Sequence, residues 1–230
     1  WPPSGALINT IVWIIFLPTL TVIFGLIVAV LADGKKYETL IKSIIFIPMA
    51  ISATAASVIF RFIYNSDADT GVLNALLVFL LPEFEPVSWL GKKATANFAV
   101  IFSAVWIWTG LAMTILSAAY KALPQEIIEA AIIDGATPWQ RFWRLVLRML
   151  SIPITFLVVV MIINALKMID LVYVMTMGGP RGGTRVIGFS IFVEMFANGK
   201  IGYGSAIGAI LLILVLPIIL YQLRQTKKQL

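Results

Sequence analysis

The sequence predicts an all-α membrane protein, a polytopic helical bundle with five spans in this chain, on three observations. Hydrophobic residues make up 60% of the 230 and charged residues 12%, with a mean hydropathy of +0.99. That apolar share is far above a soluble domain's. Five runs reach the roughly 20 apolar residues that cross a hydrocarbon core as a helix: 7–31, 41–63, 98–119, 152–177 and 203–221. The charged residues gather between these runs, above all in 120–151. Nothing divides the chain, so residues 1–230 are expected to form one transmembrane domain.

The run 7–31 is too long, and its flank too poor in basic residues, for a signal peptide; it carries Pro18. The run 41–63 contains Pro48 and the small residues Ser52, Ala53, Ala55, Ala56 and Ser57, which permit close approach of another helix. The third run holds Trp106, Trp108 and Gly110, and the fifth holds Pro217. Pro18, Pro48, Gly110 and Pro217 are expected kink points, because a bundle can satisfy the freed carbonyls. In the fourth run Lys167 and Asp170 interrupt an apolar stretch, one turn beyond Asn164. Charges at membrane depth normally face a bundle interior or a watery cavity. A spacing of three lets the two meet on one helix face. That stripe either lines a path, forms a structural ion pair, or snorkels to the interface near Gly178.

Of the two longer connections, 65–96 carries Asp67, Asp69, Glu83 and Glu85 around an apolar stretch, 72–81, too short to span and suited to an interfacial or packed helix. The connection 178–202 is glycine-rich, with helical character over 189–196. Cytoplasmic loops carry the excess of Lys and Arg. Lys35, Lys36, Lys42, Lys121, Arg141, Arg144, Arg148, Arg224, Lys227 and Lys228 fall on one side. The other side's loops hold only Lys92, Lys93, Arg181, Arg185 and Lys200. The 120–151 loop and the C-terminus are therefore expected in the cytoplasm and the N-terminus outside. This bias accounts for the net charge of +6; no basic patch free of the membrane points to nucleic acid.

With no Cys and no His, a thiol nucleophile, a His base, a His or Cys zinc site and a disulfide are ruled out. No G-x-x-x-x-G-K-[ST] phosphate loop occurs. The stretch Gly178-Gly179-Pro180-Arg181-Gly182-Gly183 has glycines but no Lys-Ser/Thr. The chain therefore has no Walker site of its own, no bound cofactor is expected, and no metal site.

The island 124–153 reads as two helices joined by a turn. Pro124 suits a first turn, residues 125–134 are good helix formers, and Gly135 can close the helix in the left-handed conformation. Thr137, Pro138 and Gln140 then compose a capping box for a second helix. Glu129-Ala130-Ala131, Asp134-Gly135-Ala136, Phe142, Leu145 and Leu147 resemble the EAA loop of bacterial and archaeal ABC importer permeases. The Glu-to-Gly spacing matches, Leu145 stands for the family's Ile, and Arg148 replaces its Pro, which leaves the second helix free to run on toward the next span.

The resemblance implies several things. Glu129, Ala130, Ala131, Asp134 and Gly135 would couple the chain to cytoplasmic ABC ATPase subunits, two of them, which would bind ATP and Mg. A second permease subunit, forming a heterodimer, and an extracytoplasmic solute-binding protein would complete the assembly in a bacterial or archaeal cytoplasmic membrane. One further helix before Trp1 is implied, since such permeases commonly have six spans. Asp170-Leu171-Val172-Tyr173-Val174-Met175-Thr176 and Gly178-Gly179-Pro180 are similar to sugar permeases of the maltose and glycerol-phosphate type. Counted from Glu129, the sugar-touching positions of maltose-type members fall at Met161, Ala165 and Met168, where the polar contacts are not retained. Trp106, Trp108, Asn164, Lys167, Met168 and Asp170 are the candidate path residues, with Tyr173 a further ring that could stack on sugar. The competing functions are a permease for another solute, an ion-coupled secondary transporter using Lys167 and Asp170, and an intramembrane enzyme with Asp170 as its carboxylate.

Overall fold

A computed structural model describes residues 2–227. All regular structure among them is helical. Trp1 and Lys228 lie outside the described residues, as do the side chains of Tyr221, Arg224 and Lys227.

Two helices are long and apolar enough to cross a membrane unbroken: α1 (Pro2–Ala32) and α5 (Lys93–Lys121). They pack against each other along their length, and between them carry about half of the core. Trp13 and Leu17 of α1 meet Val100, Ile101, Ala104 and Val105 of α5 near one end. Val22 and Ala29 meet Ala112 and Leu116 toward the other. Trp13 donates its indole N–H to Asn97 Oδ1 at 2.9 Å, so the bulkiest buried side chain leaves no orphan donor.

The second expected span is two helices, α2 (Glu38–Ala50) and α3 (Ala53–Ile63), bent by 103°. Pro48 lies just before the break, and Ser52 caps the new helix by accepting from Ala55 N at 3.2 Å. Gly110 does not break α5. It lets α2 approach, since a Cβ there would lie 2.7 Å from Ile45 O and 2.9 Å from Phe46 Cα.

The fourth expected span is also interrupted. It comprises α9 (Ser151–Leu166) and α10 (Asp170–Thr176), separated by residues 167–169. Two bent pairs, α2 with α3 and Pro138–Met149 with α9, bring the number of spans to up to four when each pair is taken as one, by length and composition. The fifth expected span begins within α12 (Ile201–Lys227), whose apolar part Ile201–Pro217 is shorter. In place of the five expected spans, the described residues give two continuous helices, two such bent pairs, the short α10 and a shorter apolar helix.

The 65–96 connection contains α4 (Val72–Leu80), close to the expected short helix. Its buried Asn74 is fully used: Nδ2 donates to Asn65 O (2.8 Å) and Val87 O (2.9 Å), while Oδ1 accepts from Val87 N (3.1 Å) and Trp89 Nε1 (3.0 Å). Replacing it with Ala strands two donors and two acceptors. An orphaned buried group costs about 1–3 kcal/mol, so Asn74→Ala is expected to lose about 2–4 kcal/mol of stability, read as an earlier thermal melt of the purified protein in detergent.

Candidate functional site

The island 120–151 forms an angled pair of helices at the end of the bundle where α1 and α2 turn around. Its first helix, α6 (Gln125–Ile133), starts at Pro124 and closes at Asp134. Gly135 follows at φ +77, where a side chain is disfavoured. The second helix begins with α7 (Pro138–Arg141). Its capping box is present, with Thr137 Oγ1 accepting from Gln140 N (3.3 Å) and Gln140 Oε1 from Thr137 N (3.0 Å). A π-helical turn over Phe142–Val146 leads to α8 (Leu147–Met149).

The chain then bends by 65° into α9. The second helix does not run straight on as Arg148 suggested. Pro153 supplies the reason the family's Pro position does not: it has no N–H, suits the first turn of a new helix, and follows the bend at Leu150.

Glu129, Ala130, Asp134 and Gly135 are exposed and Ala131 partly so; no residue of α6 is buried. Ile127, Ile132 and Ile133 of the same helix are also exposed, Ile133 to 85%. This is an unpartnered mixed surface on a rigid stalk. The stalk is fixed at its base by Leu123, Val146 and Leu150, which are buried together and packed by Leu26, Ala119, Tyr120 and Ile154. A second tie is electrostatic. Lys121, at the end of α5, meets Glu38 at 2.6 Å and Asp33 at 3.8 Å, and Lys42 joins both Glu38 and Ser117. The sequence does not announce either tie. Both join residues distant in the chain, and only the apolar character of Leu123, Val146 and Leu150 hints at the first.

The candidate path residues are not gathered at one place. Lys167 and Asp170 are both exposed, and they do not form an ion pair among the described residues. The expected shared helix face does not exist, because α9 ends at Leu166 and Asp170 opens α10, where its carboxylate suits the positive helix end. The break is held from one side by α11 (Ile187–Phe192): a Cβ on Gly188 would lie 2.7 Å from Leu166 O. Asn164 donates to Val160 O of its own helix at 2.9 Å. Met168 is buried, as are Met161 and Ala165, so the positions counted from Glu129 face this chain's own core. Trp106 is 41% exposed and meets Phe60 edge-on at 5.3 Å, whereas Trp108 packs against the main core. Tyr173 is exposed and meets Phe192 at 5.6 Å.

At the opposite end, Glu194 lies on the π-helical turn Val193–Ala197. It accepts from Asn198 Nδ2 and from Arg185 Nη2, each at 2.9 Å. The Asn198 hydrogen bond, with the Arg185 guanidinium beside it, holds the carboxyl below its ordinary value. A depressed folded pKa contributes stability that is complete above the unfolded value, about 4.3, and is lost as pH falls through the folded one. Glu194→Gln is therefore expected to lower the melting temperature at neutral pH and to flatten its decline on acidification, in a melting series run beside the parent.

The comparisons with known proteins meet this geometry. The family described as "Binding-protein-dependent transport system inner membrane component" matches residues 21–228. The chain belongs to that family. It is similar to the osmoprotective compounds uptake permease protein GgtC of Synechocystis sp., with 43% identity over 96% of this chain and 79% of that protein. The alpha-glucoside transport system permease protein AglF of Rhizobium meliloti is 37% identical over 97% of this chain and 67% of its own length. Among solved structures, a bacterial ABC transporter involved in the import of the acidic polysaccharide alginate shares the fold with a TM-score of 0.81. That match has 20% identity and covers 98% of this chain and 79% of that one. As an inner membrane component of a transport system, the chain is a transport subunit.

Proposed function

We propose that this chain is the permease subunit of an ATP-driven importer that translocates a sugar or oligosaccharide delivered by an extracytoplasmic binding protein. The observation that carries the reading is the exposed helix α6, closed by the turn at Gly135 and mounted on a stalk whose base is packed into the bundle. A lever needs both a free docking face and a stiff root, and this loop has them. The relatives named for alpha-glucoside, arabinooligosaccharide and trehalose/maltose transport support the solute class. The neighbour solved with a pentasaccharide-bound periplasmic protein supports the delivery step.

In this reading the 120–151 loop and the C-terminus face the cytoplasm of a bacterium or archaeon. Two ABC ATPase subunits bind ATP and Mg, and their closure pushes α6 as a rigid body. Glu129 and Asp134 contact the ATPase, Ala130 and Ala131 permit close approach, and Gly135 makes the turn. A second permease subunit covers the exposed faces, and Trp106, Asn164, Lys167 and Asp170, set apart in this chain, contribute to the path at separate points. The buried Met168 and the core-packed Trp108 support that wall from behind. The breaks at residues 51–52 and 167–169 supply its hinges.

The test is uptake of labelled alpha-glucosides into proteoliposomes holding the whole complex and binding protein. Uptake that requires ATP on the loop side supports the reading. Uptake driven by an ion gradient without ATP contradicts it and favours ion coupling through Lys167 and Asp170.

A further inference from the structure

The end of the bundle away from the EAA-like loop contains a basic cavity that the transport reading does not use. It has a volume of about 370 Å³ and lies between the start of α1, the start of α5 and the 178–186 connection. Lys93, Arg181, Arg185 and Asn9 form its polar wall, and Ala6 and Ile8 its apolar one. Two connections at this end, 65–96 and 178–202, hold five basic residues, and three of them converge here. No acidic residue is part of the wall. Arg185 shares its charge with Glu194 at 2.9 Å, whereas Lys93 and Arg181 make no ion pair among the described residues.

The cavity is built rather than incidental. Asn9 Nδ2 donates to Gly182 O (3.0 Å) and to Arg185 O (2.9 Å), and Ile187 N donates to Thr10 Oγ1 (3.0 Å), so the connection is pinned to α1 at three points. Arg181 sits between turns at φ +49, a conformation non-glycine residues seldom adopt. The Lys93 stem lies flat on Gly183, where a Cβ would approach its Cγ to 2.8 Å.

We propose that this cavity binds the phosphate of an anionic phospholipid headgroup, using Lys93 and Arg181, with Arg185 contributing. Ammonium and guanidinium groups make charge-assisted hydrogen bonds to phosphate oxygens. The site lies at the ends of two helices long enough to span the hydrocarbon core, which is headgroup level. The exposed Ile8 continues from it along α1, where an acyl stem would lie. The inference rests on α1 and α5 crossing the membrane, and not on the orientation or the solute.

The test is native mass spectrometry of the assembled complex released from mixed micelles of phosphatidylglycerol and phosphatidylcholine. The parent is expected to retain one phosphatidylglycerol in preference to phosphatidylcholine. Each basic residue near an anionic headgroup contributes about five-fold in affinity, so the Lys93→Gln, Arg181→Gln double variant should bind about twenty-five-fold more weakly. A control, Lys92→Gln with Lys200→Gln, removes the same charge outside the cavity wall and should retain the lipid. Equal loss in the control, equal retention in the double variant, or equal retention of phosphatidylcholine overturns the proposal. Millimolar inorganic phosphate should leave the adduct in place; displacement by it would assign the site to free phosphate and overturn the lipid. Uptake measured in parallel keeps this outcome separate from the fate of the transport reading.

Discussion

A Glu129→Lys, Gly135→Asp double variant is expected to lose its ATPase subunits while keeping its membrane partner. Both positions are exposed, and a Cβ at Gly135 meets no atom within 4 Å, so the helical bundle has no reason to unfold. The changes act in two ways. Reversing the charge at Glu129 opposes whatever basic or donor surface receives it. At φ +77, an aspartate side chain in place of Gly135 stands in a region that non-glycine residues seldom adopt, which strains the turn and tilts α6 away from its docking angle. Losing central anchors of an interface typically costs at least about 2 kcal/mol, or about thirty-fold in affinity. Copurification from native membranes reads the result as the ratio of ATPase to permease. An unchanged ratio would remove α6 from the coupling surface.

Leu150→Ala is expected to separate ATP hydrolysis from transport. Leu150 is fully buried, packs with Leu123 and Val146, and stands at the 65° bend between the loop and α9. Truncating a buried Leu leaves a cavity and costs about 2–5 kcal/mol. Here the lost packing falls between the lever and the bundle, so force delivered at α6 is absorbed in a loosened joint. The matched control is Leu157→Ala. Leu157 is also fully buried, but it packs within the bundle against Val22, Ala112 and Leu116. Both variants should melt earlier by a similar amount. Only Leu150→Ala should raise the number of ATP molecules hydrolysed per solute imported. Equal ratios in the two variants would place the transmission elsewhere.

Features set by local chemistry are legible in the sequence. The capping box at Thr137 and Gln140, the left-handed Gly135 and the short helix at 72–80 each depend on residues a few positions apart. Family membership is legible for the same reason, because the EAA-like spacing is local. The breaks in the second and fourth expected spans are not. Hydropathy averages over a window, and the residues at the breaks include Ile51, Met168 and Ile169, as apolar as their neighbours. Pro48 flags one break; nothing flags 167–169, where α11 packs backbone to backbone through Gly188. Lys167 and Asp170 stand out in an apolar run, but their pairing assumes a continuous helix. The tertiary ties, Glu38 to Lys121 and Asn74 to Val87 and Trp89, join residues whose neighbours in sequence give no sign of the partner the fold brings to them.

The most direct test of the central claim uses the absence of cysteine from the sequence. A single Ala130→Cys substitution puts one thiol on the exposed face of α6, where it can be joined by a short bismaleimide to a neighbouring chain bearing an engineered cysteine in its cleft. A crosslink to the ATPase subunit that strengthens or weakens as ATP is added is the expected result. A thiol that never joins the ATPase in an active complex, yet reacts freely with impermeant maleimide, would contradict it.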